Sequence, residues 1–281
     1  MDELDNLINN KTEMSSEDWK NHKKEEKDKL YEMIDKSLEE IKDNSDNFKK
    51  YLDLQSKFNN YSVNNTMLIY AQNREATRVR GFDEWKKYGA NILNGEKGIM
   101  ILEPTEKFTR EDGTEGMYFN VKRVFDVSQT SLNVKERNNS YSNKVLLSAF
   151  LENYNIQCVD EIKGPSNAFW NSKDKFLYVK TGLEPKELFH SVLKELSNIQ
   201  FDKKDVFKDF KSNCISYMIC KKYNLDISSV ANLNIPDELK KLDNDAFKKE
   251  LLSMHDCFEK ENSRINEHFE KLSIKNKDKE R

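Results

Sequence analysis

The sequence predicts an α+β protein of two modules, and three observations lead to this prediction. The chain has 281 residues, more than one typical domain of about 100–150 residues contains. Two strand-like segments, 98–104 and 117–127, lie among amphipathic helical segments. A polar stretch at 133–143 interrupts the apolar pattern. We therefore expect a small α/β N-terminal module and a helix-rich C-terminal module, joined by this linker.

Composition limits the classes of protein to which the chain can belong. Charged residues make up 35% and hydrophobic residues 36% of the chain, which is typical of a folded protein with real cores and not of a disordered one. The 47 basic and 50 acidic side chains give a net charge of −3, which excludes a histone-like polycation. Any contact with nucleic acid must therefore come from a local basic patch.

Targeting and redox signals are equally plain. The sequence has no run that approaches the roughly 20 apolar residues of a membrane span, and its first residues lack the basic and apolar parts of a secretory signal. We expect a cytoplasmic protein that does not contact membranes. The four cysteines show no CxxC spacing, which predicts reduced packing residues and not a disulfide framework.

The first module is predicted from hydrophobic periodicity. Residues 1–45 form a charged helical extension with a narrow apolar stripe, expected to be exposed and outside the core. The domain proper spans 46–132 and contains two helices, an extended segment, a helical turn, a tight turn and the two strands. In chain order these elements are 46–59, 64–73, 77–81, 82–89, 94–98, 98–104 and 117–127.

The second module spans 144–273 and precedes a charged tail at 274–281. We expect a helix, three short strands, two core helices and a long terminal helix that packs along the domain. In chain order these elements are 144–154, 156–160, 168–171, 175–180, 185–199, 204–223 and 245–272.

A basic and aromatic pattern lies between residues 74 and 98. Six basic residues outnumber four acidic ones there, and aromatic residues are interleaved with them. Single-strand binders combine such cations with rings on which bases stack. Arg78 and Arg80 are two apart in an extended segment, so their side chains lie on one face, and Lys97 follows the turn at Gly95. Composition alone leaves a second interpretation open, in which the aromatic residues are core and the basic residues a solvated face.

Three blocks, 61–89, 94–104 and 124–130, give this pattern a family context. They resemble the N-terminal module of ArdC-like antirestriction proteins and of their LtrC-like relatives on mobile elements. The residues that carry the resemblance are Tyr61, Ser62, Asn65, Gln72, Ala76, Thr77, Gly81, Trp85, Lys97, Gly98 and the segment 125–130. The resemblance implies binding of single-stranded DNA. The binding residues expected from the pattern and the resemblance together are Tyr61, Arg74, Arg78, Arg80, Trp85, Lys86, Lys87 and Lys97.

The second module resembles the zincin-like, minimal metallopeptidase domain that follows this module in the same family. That domain carries HExxH on one helix and an acidic third ligand on the next. Here the best register places Lys194 and Asn198 at the two histidine positions and Asn213 at the acidic position, so that only Glu195 is retained. A lysine ammonium repels Zn²⁺ and a neutral Asn is a poor zinc ligand. Lys194, Glu195, Asn198 and Asn213 are therefore expected to be vestigial.

Another register begins at His190 but places Ser191 and Lys194 in the motif. A metal site rebuilt from Glu187, His190 and Cys214 stays open as an alternative. We expect a pseudoenzyme of a mobile element or phage, without metal or cofactor, that binds single-stranded DNA and acts in antirestriction or counter-defence. A host defence protein is a second candidate partner. The alternatives are an active metal-dependent peptidase with a non-standard site and a protein-interaction module that inhibits a host enzyme.

Overall fold

The computed structural model describes residues 16–110, 112–132 and 141–279. The α+β class is confirmed. The helices are α1 (Ser16–Asp43), α2 (Ser45–Lys57), α3 (Val63–Gln72), α4 (Phe82–Lys87), α5 (Asn143–Phe150), α6 (Pro185–Asn198), α7 (Lys208–Lys222), α8 (Asp237–Lys240) and α9 (Asn244–Lys279). The strands are β1 (Val79–Gly81), β2 (Ile99–Thr109), β3 (Glu115–Asp126), β4 (Asn155–Val159), β5 (Ala168–Asn171) and β6 (Phe176–Lys180).

The strands form two sheets of three strands. In the first, β3 lies between β1 and β2, and both neighbours are antiparallel to it. In the second, β6 lies between β4, which is parallel to it, and β5, which is antiparallel. The expected strands are thus present, although the hairpin of β2 and β3 is longer than the predicted segments.

Helix α1 corrects the expectation that residues 1–45 are an exposed extension. Leu30, Ile34, Leu38 and Ile41 are each at most 1% exposed, because this stripe packs against α2 and α3. Each buried apolar side chain contributes roughly 1.5–3 kcal/mol to the stability of the fold. The stripe is therefore part of the core and not an exposed extension. The charge density of the opposite face obscured this in the sequence.

The cores of the two predicted modules are continuous. The ring of Phe48 on α2 stacks on that of Phe210 on α7, with centroids 5.6 Å apart. The hydroxyl of Tyr217 donates to Asp53 Oδ1 at 2.6 Å. Helix α2 therefore joins the modules through side chains, besides the covalent connection. Residues 133–140 of the predicted linker at 133–143 lie outside the described residues. Of the remaining linker residues, Ser142 caps α5, because its Oγ accepts a hydrogen bond from Val145 N.

The long helix α9 packs along the second module as expected, since Phe247, Leu251, Phe258 and Ile265 are at most 1% exposed. Its backbone continues to Lys279, so the predicted tail at 274–281 is largely a continuation of the helix. Cys214, Cys220 and Cys257 are buried, as predicted, whereas Cys158 is exposed. Within the described residues, no helix has the length and apolar character needed to span a bilayer.

Candidate functional site

The surface around α4 contains the cations that the sequence singled out. Arg80 lies in β1 opposite Phe125 of β3, and α4 begins directly after this strand. The guanidinium carbon of Arg80 lies 4.3 Å from the ring centroid of Tyr88 and 5.8 Å from that of Trp85. Tyr88 is 60% exposed, so its ring carries a cation on a solvent-accessible surface.

The structure contradicts the expectation that Trp85 contacts DNA. Its side chain is 1% exposed, and its Nε1 donates to the carbonyl of Phe125 at 2.8 Å. An indole held in this way anchors α4 to β3 and cannot stack on a base. The exposed rings of this surface are Tyr88 and Phe82, the latter 56% exposed. The sequence pattern included both rings but did not indicate which of the aromatic residues face solvent.

Pairing with carboxylates divides the basic residues of the first module into two groups. Arg74 donates to both carboxylate oxygens of Glu40, at 2.6 and 2.8 Å, and its guanidinium lies over the ring of Tyr70. Lys122 pairs with Glu103 at 2.6 Å and Arg123 with Glu26 at 3.3 Å. Arg74 is therefore already engaged, against the expectation that it contacts DNA.

The other group has no such partner. Across the described residues, no ion pair within 4.0 Å involves Arg78, Arg80, Lys86, Lys87 or Lys97. The Nε of Arg80 is buried and has no hydrogen-bond acceptor. A buried donor without an acceptor costs about 1–3 kcal/mol. We call Arg78, Arg80, Phe82, Lys86, Lys87, Tyr88 and Lys97 the α4 surface.

A groove of about 360 Å³ adjoins the α4 surface, and Gly81 and Glu84 are among its lining residues. Tyr61 forms one wall, where its ring meets that of Phe58 edge-on at 5.9 Å, and Phe119 and Lys122 also line it. Burial, followed by the nearby Glu84 carboxylate, raises the pKa of Tyr61. Tyr61 is half-buried, so this predicted residue presents only part of its ring to a ligand.

Two amide side chains fix α3 along the free edge of β2. Asn65 Nδ2 donates to Leu102 O at 2.9 Å and Asn65 Oδ1 accepts from Leu102 N at 2.8 Å. Gln72 makes the same pair of bonds with Met100, both at 2.9 Å. Each amide replaces a neighbouring strand, so these two residues of the family pattern have a structural role here.

In the second module, Lys194 of α6 and Asp209 of α7 form an ion pair with Nζ and Oδ1 2.8 Å apart. Asn213, one turn further along α7, donates from Nδ2 to Asp209 O at 2.9 Å. Asn198 is the last residue of α6, and its carbonyl accepts from Phe201 N at 3.2 Å. The resemblance to a metallopeptidase domain predicts histidines at positions 194 and 198 and an acidic ligand at position 213. These positions carry an ammonium and two carboxamides instead.

His190 and Glu195 have different partners. The Nδ1 of His190 lies 3.0 Å from Ser216 Oγ, and burial, together with the nearby Lys194, lowers the pKa of His190 to about 4. Glu195 Oε1 accepts from the backbone N–H of Trp170 in β5 at 2.8 Å, and burial raises the pKa of Glu195. Glu195, for which the resemblance predicts the position of a general base, is therefore a carboxylate bonded to a strand edge.

These residues do not fit a catalytic zinc. Over the described part of the chain, no three His, Cys, Asp or Glu residues lie close enough together to hold a metal ion. Of the alternative ligands, His190 is bonded to Ser216, Cys214 is fully buried, and Glu187 accepts from Glu184 N at 3.3 Å. Zinc requires three such ligands and an open position for water. No step through a metal follows from this arrangement.

Two cavities lie next to the Lys194–Asp209 ion pair. One of about 310 Å³ is lined by Glu187, His190 and Lys194, and one of about 460 Å³ is lined by Asp209 and Asn213. Lys194 lines the smaller cavity and Asp209 the larger one, and their ion pair ties α6 to α7.

The N-terminal part of the chain is similar to a known family of proteins. Residues 20–155 match the family described as the N-terminal domain of anti-restriction factor ArdC. No curated protein matches the chain. Two solved structures of the antirestriction ArdC protein from plasmid R388 are similar, each at 14% sequence identity over 74% of this chain. The metal-free one has a TM-score of 0.46 with 85% of its chain covered, and the Mn(II)-bound one 0.49 with 84%.

Proposed function

We propose that the chain, whose residues 20–155 match the N-terminal domain of anti-restriction factor ArdC, binds single-stranded DNA through the α4 surface in an antirestriction role. The observation that carries the proposal is Arg80, which lies 4.3 Å from the exposed ring of Tyr88 and has no carboxylate partner among the described residues. We place this role in the cytoplasm, on DNA of a mobile element that enters a host.

The chemistry of the α4 surface suits a single strand. Unpaired cations neutralise phosphates, and each base stacked on an aromatic ring contributes about 1–3 kcal/mol. Tyr88 and Phe82 supply the rings, and Arg80 strengthens the stack through a cation–π contact. The groove beside Tyr61, with a volume of about 360 Å³, is the place that we assign to an unstacked base. In a duplex the base faces are not accessible, which favours the single strand.

We further propose that the second module does not hydrolyse peptides. The ammonium of Lys194 and the carboxylate of Asp209 satisfy each other at 2.8 Å. The edge of β5 is also closed to an added peptide strand. Trp170 N donates to Glu195, and Ala168 exchanges hydrogen bonds with Ser166 Oγ at 2.6 and 3.4 Å. A peptide that paired with this edge would have to displace both side chains.

Fluorescent single-stranded DNA, duplex DNA and RNA, titrated at two salt concentrations, test the DNA proposal. The variant Arg78→Ala/Arg80→Ala/Lys97→Ala should lose single-strand affinity by tenfold or more. Its salt slope should fall by about 2, at about 0.7 per phosphate contact. Arg74→Ala/Lys107→Ala/Arg123→Ala removes three cations that have carboxylate partners and should bind nearly as the wild type does. Equal losses in both variants, or no binding by the wild type, would refute the proposal.

A further inference from the structure

The carboxylate of Asp126, at the end of β3, organises the segment that carries Arg78. Its Oδ1 accepts from Thr77 N at 2.7 Å and Arg78 N at 2.8 Å. Its Oδ2 accepts from the N–H and the hydroxyl of Ser128, at 2.9 and 2.7 Å. Burial acts to raise the pKa of Asp126, but these hydrogen bonds outweigh it, and the pKa lies below its ordinary value. The residue is 1% exposed.

Gln129 extends the same network to the turn that carries Lys97. Its Oε1 accepts from Asp126 N at 2.9 Å. Its Nε2 donates to Lys97 O at 2.9 Å and to Glu96 Oε2 at 2.8 Å. Gly95 within this turn has a φ of 85°, a conformation that glycine adopts without strain and other residues rarely adopt. The amide of Gln129 therefore fixes the backbone from which the Lys97 side chain extends.

One short segment thus connects two cations that lie far apart in the chain. The connection runs from Arg78 through Asp126 and Gln129 to Lys97, with every link between 2.8 and 2.9 Å. At both ends the segment bonds the backbone and leaves the basic side chain unpaired and exposed. A clamp that served stability alone would not need to end at two unpaired cations.

We propose that Asp126 and Gln129 are positioning residues, which fix the backbone of Arg78 and of Lys97 relative to one another so that both cations contact the phosphates of a single strand. This inference rests on the proposed function of the α4 surface. Four neutral donors satisfy the Asp126 carboxylate, so it does not capture the guanidinium of Arg78. Its role is to place that cation while leaving its charge available to the ligand.

The chain contains a matched control for Gln129. Gln72 makes two side-chain hydrogen bonds to Met100 of β2, and the described structure shows none from it to the backbone of Arg78 or Lys97. The variants Gln129→Met and Gln72→Met each remove one amide clamp in the same domain and keep a side chain of similar length. Both should lower the midpoint of chemical denaturation. Only Gln129→Met should weaken binding of a fluorescent single-stranded oligonucleotide, roughly fivefold, with a salt slope lower by about 0.7.

Double-mutant cycles separate positioning from general destabilisation. If Gln129 acts through Lys97, then Lys97→Ala/Gln129→Met should bind no more weakly than Lys97→Ala alone, and Arg78→Ala/Asp126→Asn should bind no more weakly than Arg78→Ala. Wild-type affinity in Gln129→Met, equal losses in Gln129→Met and Gln72→Met, or additive losses in the cycles would overturn the inference. In each case the proposed function stands if the wild type still binds and Arg78→Ala/Arg80→Ala/Lys97→Ala does not.

Discussion

The Nζ of Lys194 on α6 lies 2.8 Å from Oδ1 of Asp209 on α7, so that an ion pair joins the two helices where the resemblance to a metallopeptidase domain predicts a metal ligand at position 194. A cation remains between the two helices, but it is covalently part of the chain. The ammonium of Lys194 binds the carboxylate of Asp209 on the neighbouring helix. Unlike a metal ion, it has no vacant coordination site at which water could be activated.

The first prediction concerns metal content. The purified chain should contain no stoichiometric zinc by elemental analysis, because Lys194 repels a second cation and Asn198 and Asn213 are poor ligands. Excess Zn²⁺ or a chelator should leave the thermal midpoint unchanged, since a ligand that binds the native state would raise it. One equivalent of zinc that a chelator removes with a drop in the midpoint would contradict the absence of a site.

The second prediction distinguishes the exposed ring from the buried one. Tyr88→Ala should reduce affinity for single-stranded DNA by about tenfold, corresponding to one stacked base, with little effect on stability. Trp85→Phe should act in the opposite way. It removes the hydrogen bond to Phe125 O and should lower the free energy of unfolding by about 1–2 kcal/mol, while the folded fraction binds normally. Fluorescence anisotropy and urea denaturation of both variants measure the two effects, and a reversed pattern would exclude Tyr88 as the platform.

The third prediction concerns the edge of β2. Gln72→Ala or Asn65→Ala leaves one backbone N–H and one C=O of β2 without a partner, so each should cost about 1–3 kcal/mol in the free energy of unfolding. Asn60→Ala, at an exposed position before α3, is the control and should stay within about 0.5 kcal/mol. Chemical denaturation measures all three. Indistinguishable midpoints would mean that water replaces the amides at this edge.

The fourth prediction is a pH dependence caused by His190. Its folded pKa of about 4 lies below the ordinary value of 6.5, so between these values the unfolded chain takes up a proton that the folded chain refuses. Stability should therefore fall as the pH is lowered from about 6.5 to about 4, and this residue should contribute no further loss below that. Titration of the His190 ring by NMR and denaturation at pH 7 and 4.5 measure the effect.

His190→Gln should remove this part of the pH dependence, because glutamine does not titrate. His22→Gln, at an exposed position of α1, is the matched control for loss of an imidazole. An unchanged slope in His190→Gln would show that other groups cause the acid destabilisation.

The fifth prediction concerns Lys211, whose side chain is 2% exposed and pairs with Asp205 at 2.5 Å and Glu250 at 2.7 Å. Lys211→Met leaves two carboxylates without their cation and should cost about 3 kcal/mol in the free energy of unfolding. Lys240→Met breaks an exposed pair with Asp237, 3.9 Å apart, and should cost less than about 0.5 kcal/mol. Thermal and chemical denaturation compare them, and similar costs would show that Lys211 is not a buried link.

The sequence by itself determined the order and type of most elements, although not the short helix α8, because helix and strand periodicity, prolines and turns act within a few residues of one another. Pro185 marks the start of α6 as expected, and the two expected strands appear as β2 and β3. It also located the basic and aromatic residues of the α4 surface. These properties depend only on residues that are close together in the sequence.

Tertiary structure alone decided which of these side chains are available. The burial of Trp85, the exposure of Tyr88, the capture of Arg74 by Glu40 and the pairing of Lys194 with Asp209 each depend on residues distant in sequence. The stripe on α1 likewise became core only because α2 and α3 fold back onto it. Burial and charge pairing are set by which surfaces meet, and the meeting of surfaces is a property of the folded chain.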